Sequence, residues 1–301
     1  MFENIRKNKI ESGIIVTIFL IVITLIVYYI CHALRLGSFS IVIALIFSIA
    51  SAWGSYYYSD KIVLSLNHAR PATKEEDLKI VNILDALMVT SGLSEKPRLY
   101  VTDDPQPNAF ATGRNPKNAV ICVTTGLLEK LDYYELEGVI AHELSHIKNY
   151  DIRLSCIVSV MVGFIVMVAD MFSRVLFWGG LDNDGDSDNK GNAILMLLGL
   201  IFLILSPIFG SLMQLALSRK REFLADATAV EFTRNPDGLI SALEKLEADS
   251  NQLATANSAT ANMFIVNPFK NNTKEGKKKS SNLWSTHPST EDRIEALRNL
   301  R

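Results

Sequence analysis

The chain has 301 residues, a net charge of −2 from 30 Lys+Arg against 32 Asp+Glu, and 49% hydrophobic residues. That balance excludes a strongly basic nucleic-acid binder, and the apolar share excludes disorder over most of the chain. Three cysteines, Cys31, Cys122 and Cys156, are too few for the disulfide framework of a small secreted fold.

In chain order, the apolar residues fall in four blocks. Gly13 to Cys31 and Gly37 to Ser59 are free of charge over 19 and 23 residues. Leu154 to Ala169 runs 16 residues before Asp170 and Arg174, and Gly191 to Ser218 runs 28. A bilayer core needs about 20 apolar helical residues, so the pattern predicts transmembrane helices at 13–34, 37–59, 154–178 and 191–217. The third span requires Asp170 and Arg174 to pair at i,i+4 or to face the bundle interior or an interface. Lys and Arg concentrate at one side of these spans: Arg6, Lys7 and Lys9, then Lys61, Lys148, Arg153 and Arg219 to Arg221. The connecting loops hold only Arg35 and Lys190, and the second, 179–190, carries Asp182, Asp184, Asp186 and Asp188. This asymmetry predicts a cytoplasmic N-terminus (1–12), cytoplasmic polar segments at 60–153 and 218–301, and an acidic loop outside. The Asp ladder lacks the glycine and terminal glutamate of an EF-hand and reads as a solvated hairpin. Tyr56 to Tyr58 reads as an interfacial aromatic belt.

The first polar segment predicts short strands at Arg98 to Val101, Asn108 to Gly113 and Ala119 to Thr125, with a turn at Arg114 to Asn118. A helix opens at Asp132, with Glu135 completing a capping-box pattern, and runs through Asn149. The second polar segment predicts a helix to about Phe232, a break at Pro236, and a helix over Asp237 to Asp249. A long polar loop follows from Asn251 to Trp284, and a last helix starts near Ser289.

His142-Glu143-Leu144-Ser145-His146 lies in the first of these helices. Residues i and i+4 share one helix face, so both imidazoles can reach one metal ion, and Glu143 stands beside them to take a proton from a metal-activated water. A catalytic zinc takes a third protein ligand, for which Glu222 is the candidate. Asp226, one turn further on, shares its face and can orient a ligating imidazole.

These residues, with Asn108 to Gly113, Thr125 to Leu128, Arg221 to Asp226, Asn267 to Phe269, Ser285 to Pro288 and Arg293-Ile294, make the chain resemble the HtpX family of membrane zinc endopeptidases. It is more distantly similar to the CAAX-prenyl endopeptidases. The resemblance runs nearly end to end. It implies a mainly α membrane protein: four transmembrane helices and a cytoplasmic α+β zincin-like (gluzincin) catalytic domain with a small β-sheet. It implies one Zn2+ per chain on His142, His146 and Glu222, with Glu143 as general base. His287 is implied as the group stabilising the oxyanion, with Arg293 supporting it and Asp226 and Asp151 behind the ligands. The edge strand containing Asn108, Ala109, Phe110 and Ala111 is implied to bind substrate by β-augmentation. The expected partners are unfolded or membrane proteins and the lipid bilayer of a bacterial inner membrane, with both termini cytoplasmic. Two other functions fit the same residues: a site-specific processing peptidase, and a non-catalytic scaffold keeping a structural zinc.

Overall fold

The computed structural model describes residues 2–33, 37, 39–161, 219–251, 253–254, 260–268 and 288–300. The expected fourth span, most of the third, the acidic loop and His287 lie outside this set.

The chain opens with α1 (Phe2–Ala33) and α2 (Phe39–Tyr57), which pack on one another. α1 begins eleven positions before the charge-free block, so the helix extends through the charged N-terminal residues. Ile14, Ile21 and Leu25 of α1 and Phe39, Ile46, Ile49 and Trp53 of α2 are exposed. Counted over the described residues alone, no helix is long and apolar enough to cross a membrane; both helices contain positions whose side chains lie outside that set.

After α3 (Ser59–Leu66) come β1 (Arg70–Pro71), α4 (Lys74–Ser91), β2 (Arg98–Thr102), β3 (Ala109–Thr112), β4 (Val120–Thr124), α5 (Thr125–Lys130) and α6 (Tyr133–Lys148). Residues 151–161 are again helical. Beyond the undescribed stretch lie α7 (Arg219–Thr233), α8 (Pro236–Ala248) and α9 (Thr290–Arg298).

The sheet order is β1-β2-β4-β3, with β2 and β4 parallel and the outer pairs antiparallel. All five residues of β4 are buried, because both faces of the sheet are covered. Ile121 and Val123 point into the main core with Ile83 and Leu87 of α4, while Val120 and Cys122 point to Phe110, Val63 and Phe264 on the other side. The period-2 alternation of a strand divides the two cores.

α6 is the centre of the main core. Val139, Ile140, Leu144 and Ile147 are fully buried, each contributing about 1.5–3 kcal/mol by its removal from water. The helix starts at the expected N-cap: Asp132 accepts the Glu135 N–H at 3.0 Å, and Glu135 accepts the Asp132 N–H at 2.9 Å. Glu135 also accepts from Ser241 Oγ (2.5 Å) and Lys245 Nζ (2.6 Å), tying α6 to α8. Two glycines let these helices touch. A Cβ on Gly138 would sit 2.8 Å from the Leu239 nitrogen, and one on Gly238 would sit 2.5 Å from the Tyr134 carbonyl oxygen. The axis of α6 is thereby fixed by backbone contact, and its first-turn carboxylate fixes the register.

The polar stretch expected to be one loop, Asn251 to Trp284, contains ordered structure where it is described. Ala261–Met263 forms a turn of 3-10 helix, and Phe264 pairs with Phe110 of β3 in an antiparallel bridge. Phe264, Ile265 and Val266 are buried. The apolar run Met263 to Val266 supplies the physical reason, since it buries against the sheet despite its polar flanks.

Candidate metal centre

α6 presents His142 and His146 one turn apart, and α7 brings Glu222 against them, as the buried packing of the two helices requires. The His142 and His146 Nε2 atoms are 3.2 Å apart, and each lies 3.7 Å from a Glu222 carboxylate oxygen. Among the described residues these three form the one group able to hold a metal ion, with ligand atoms all within 4.8 Å of one another. Bonds of about 2.0–2.1 Å in a tetrahedral arrangement imply ligand separations of about 3.3 Å, so the triad fits Zn2+ with little adjustment.

The remaining imidazole nitrogens are held by carboxylates. His142 Nδ1 is 2.9 Å from Asp226 Oδ1, and His146 Nδ1 is 3.0 Å from Asp151 Oδ2. A carboxylate at Nδ1 keeps the proton there and leaves the Nε2 lone pair for a metal. Asp226 is itself clamped by Arg293, whose Nε and Nη2 donate at 2.8 and 2.7 Å; Arg293 Nη1 also donates to the Ile265 carbonyl at 2.9 Å. Arg293 is 2% exposed and its Nη1 lies 3.9 Å from Glu222. The Arg293 guanidinium thus lies behind His142, on Asp226, with Nη2 3.4 Å from His142 Nδ1.

Electrostatics follow from burial and these partners. Burial lowers the His142 pKa, and the nearby Arg293 cation adds to the effect. Before a metal binds, His146 is pushed up to about 9, because the Asp151 hydrogen bond and the Glu222 carboxylate outweigh burial, so a metal ion binds there by displacing the second proton, on Nε2. Burial pushes the Glu143 carboxyl up to about 7, against the pull of His146 and Arg293. Asp226 stays below the usual carboxylate range, because the Arg293 charge and hydrogen bonds overcome its burial.

A cleft opens onto this centre, lined by Glu143, His146, Glu222, Asp151, Ala111, Arg221, Asn262 and Met263 among others. Of the four residues expected to bind substrate, Ala111 faces the cleft. Asn108 is used within the chain, donating from Nδ2 to the Val266 carbonyl (3.0 Å) and accepting the Val266 N–H at 3.4 Å. The Ala109 carbonyl accepts the Ile265 N–H at 3.0 Å, and the Phe110 ring stacks edge-on with Phe264 at 5.0 Å. The outer edge of β3 is therefore already paired over Ala109 and Phe110. His287 falls outside the described residues.

Asn262 and Met263 also line the cleft but sit inside a stretch whose composition reads as loop, and Arg221 reads as a topology charge within the Arg221 to Asp226 segment, with no site role expected of it.

Comparison with known proteins agrees with the centre. The sequence model of peptidase family M48 matches residues 74–301. A protease HtpX homolog of Dictyoglomus thermophilum is 43% identical over 297 residues, covering 99% of this chain and 94% of its own. One from Caldanaerobacter subterraneus is 41% identical over 299 residues, covering 99% and 96%. One from Lactobacillus helveticus is 39% identical over 308 residues, covering the whole of both. Among solved structures, S. mikatae Ste24p is similar at a TM-score of 0.49 and 18% identity, covering 99% of this chain and 66% of that one, a likeness too slight to carry argument. Matched by the family model from Lys74 to Arg301 and by these relatives over nearly its full length, the chain belongs to peptidase family M48 and is a metalloprotease of the HtpX type.

Proposed function

We propose that this chain is a zinc endopeptidase of a bacterial cytoplasmic membrane, cutting unfolded or damaged membrane proteins on the cytoplasmic side. The observation that carries the reading is the meeting of His142, His146 and Glu222, with His146, Glu222 and the buried carboxyl of Glu143 lining one cleft. Two nitrogens and one oxygen without thiolates make a catalytic donor set, whereas structural zinc sites are closed by four ligands and rich in Cys. That argues against the scaffold.

When bound, zinc supplies Lewis acidity, lowering the pKa of a coordinated water toward neutrality and polarising the scissile carbonyl. The chain's own residues do the rest. Glu143 accepts the proton of the attacking water and returns it to the departing amine nitrogen. Asp226 and Asp151 keep both imidazoles in the Nδ1–H tautomer. His287 stabilises the oxyanion. Ala111 offers main chain to an extended substrate where the edge of β3 meets the cleft, and main-chain recognition reads little side-chain identity. Broad specificity follows, as suits unfolded segments.

The membrane reading rests on the four apolar runs and on the apolar side chains exposed along α1 and α2. The ion pair of Glu11, just before the first proposed span, with Arg221, just after the fourth, supports both ends lying on one face. The test is product mapping with the full chain in lipid vesicles, offered an unfolded soluble protein and a misfolded membrane protein. Many cuts in both are expected. One defined cut would establish a processing peptidase instead, and metal-loaded protein that cuts nothing would restore the scaffold.

A further inference from the structure

Three cations stand against three consecutive tyrosines where α2 passes into α3. Arg153 lies 5.4 Å over the Tyr56 ring, Arg114 5.0 Å over Tyr57, and Lys61 Nζ 5.3 Å over Tyr58. Arg114 also donates from Nη1 to the Tyr57 carbonyl at 2.9 Å, which ties the turn after β3 to the C-terminal end of α2. The Tyr56 and Tyr57 rings meet edge-on at 5.3 Å, and Trp53 packs on Tyr57 at 4.7 Å.

Among the described residues, no carboxylate lies within salt-bridge distance of Lys61, Arg114 or Arg153. Asp60, beside Lys61 in sequence, is taken by Arg98 at 2.7 Å. A ring face attracts a cation but leaves its charge in place, so three positive charges stand unmatched at one end of α2. The helix leads to them along a single stripe. Ile46, Ile49, Trp53 and Tyr57 fall at i, i+3, i+7 and i+11 on one face, and all four are exposed. Apolar, then aromatic, then cationic is the order of chemistry met on passing from acyl chains to phosphates. Lipid covers the whole stripe at once, whereas a protein partner would need a long apolar face ending in carboxylates.

We propose that this collar binds the phosphates of anionic phospholipid headgroups, with Lys61 and Arg114 as the contacting cations and the half-buried Arg153 adding its charge. The turn after β3, whose Ala111 faces the metal cleft, is then seated on the headgroups through Arg114. The proposal rests on the membrane reading and deepens it by naming the lipid class and the residues that hold it.

The full chain in neutral detergent micelles is titrated with phosphatidylglycerol or phosphatidylcholine. Bound lipid is counted by native mass spectrometry, with zinc content and thermal unfolding followed on the same preparations. Wild type is expected to hold phosphatidylglycerol at least about tenfold tighter than phosphatidylcholine, a difference that shrinks as salt is raised. Lys61→Gln and Arg114→Gln each lower the preference about fivefold, the worth of one basic residue at an anionic surface, and the double variant removes it. Arg114→Lys, which keeps the charge, retains most of it. Arg298→Gln removes the same charge from the exposed face of α9 and leaves the preference unchanged. If Arg114→Gln does not fold, the exposed Lys61 carries the test alone. A folded double variant, or a folded Lys61→Gln in that case, that keeps the wild-type preference overturns the proposal. An equal loss in Arg298→Gln also overturns it, by tracing the preference to net charge. Inorganic phosphate that displaces phosphatidylglycerol at equal concentration makes the collar a free-anion site and overturns the lipid assignment. A wild-type chain that stays soluble without detergent and ignores vesicles of either lipid overturns the membrane reading itself, and the proposal falls with it.

Discussion

Replacing Asp226 by Asn tests the support behind the metal centre most sharply. Asp226 is 2% exposed and accepts three hydrogen bonds: His142 Nδ1 at 2.9 Å, and Arg293 Nη2 and Nε at 2.7 and 2.8 Å. An amide cannot reproduce this set. With its oxygen toward His142, and so still accepting from Arg293 Nη2, its NH2 meets the Arg293 Nε–H and the buried cation loses its nearest counter-charge. With its NH2 toward His142, the imidazole must carry its proton on Nε2, the atom that faces His146 and Glu222. Loss of a carboxylate behind a metal-ligating histidine costs about 10–100-fold in metal affinity, or about 1.4–2.8 kcal/mol. Removing one partner of a buried ion pair costs about 3–5 kcal/mol. The lower end applies here, because Arg293 keeps the Ile265 carbonyl at 2.9 Å and Glu222 at 3.9 Å. Competition against a chelator of known affinity measures the first effect, and thermal unfolding of the metal-free protein the second. Metal affinity within twofold of wild type, with an unchanged melting temperature, would refute the assignment of Asp226.

Two further predictions concern how α6 is held. Gly138→Ala drives a methyl into the Leu239 main chain, which cannot rotate away, so stability is expected to fall by about 1–3 kcal/mol and proteolysis with it; an unaltered unfolding transition would show that α6 and α8 do not touch there. Glu135→Gln weakens the link to Lys245 and Ser241 and costs about 1–3 kcal/mol at neutral pH. Burial raises the Glu135 pKa, but Lys245, Ser241 and the Asp132 N–H together hold it below the ordinary value. Its contribution is therefore complete above the unfolded carboxylate pKa of about 4.3 and is lost as pH falls through the lowered native value. The melting difference between variant and wild type is expected to be largest at pH 7 and to close in acid; a gap that widens on acidification contradicts the arrangement.

Local signals in the sequence predicted local structure well. Asp132 with Glu135 marks the start of α6, β-branched or aromatic runs mark β2 and β4, with β3 read between them, and Pro236 marks the break between α7 and α8. The His142–His146 spacing carried its own geometry, because one helical turn is the same wherever the helix lies. α4 carries the same kind of start signal, a capping box of Thr73 and Glu76, but holds none of the expected site residues. The contacts that shape the cleft were not legible for another reason. Glu11 and Arg221 are 210 residues apart, and Phe264 meets Phe110 across 154. Neither pairing leaves a periodicity or a spacing in the chain; each exists only after the sheet and helices have packed. Gly138 reads simply as a weak helix residue until Leu239 lies against it.

The central claim is that His142, His146 and Glu222 hold the catalytic zinc while Glu143 moves the proton. It is tested most directly by measuring zinc per chain and cleavage of an unfolded protein on the same preparations of wild type, Glu143→Gln and Glu222→Ala. The account predicts close to one zinc with cleavage for wild type, one zinc without cleavage for Glu143→Gln, and loss of both for Glu222→Ala. Normal cleavage by Glu143→Gln, or full zinc occupancy in Glu222→Ala, would contradict it.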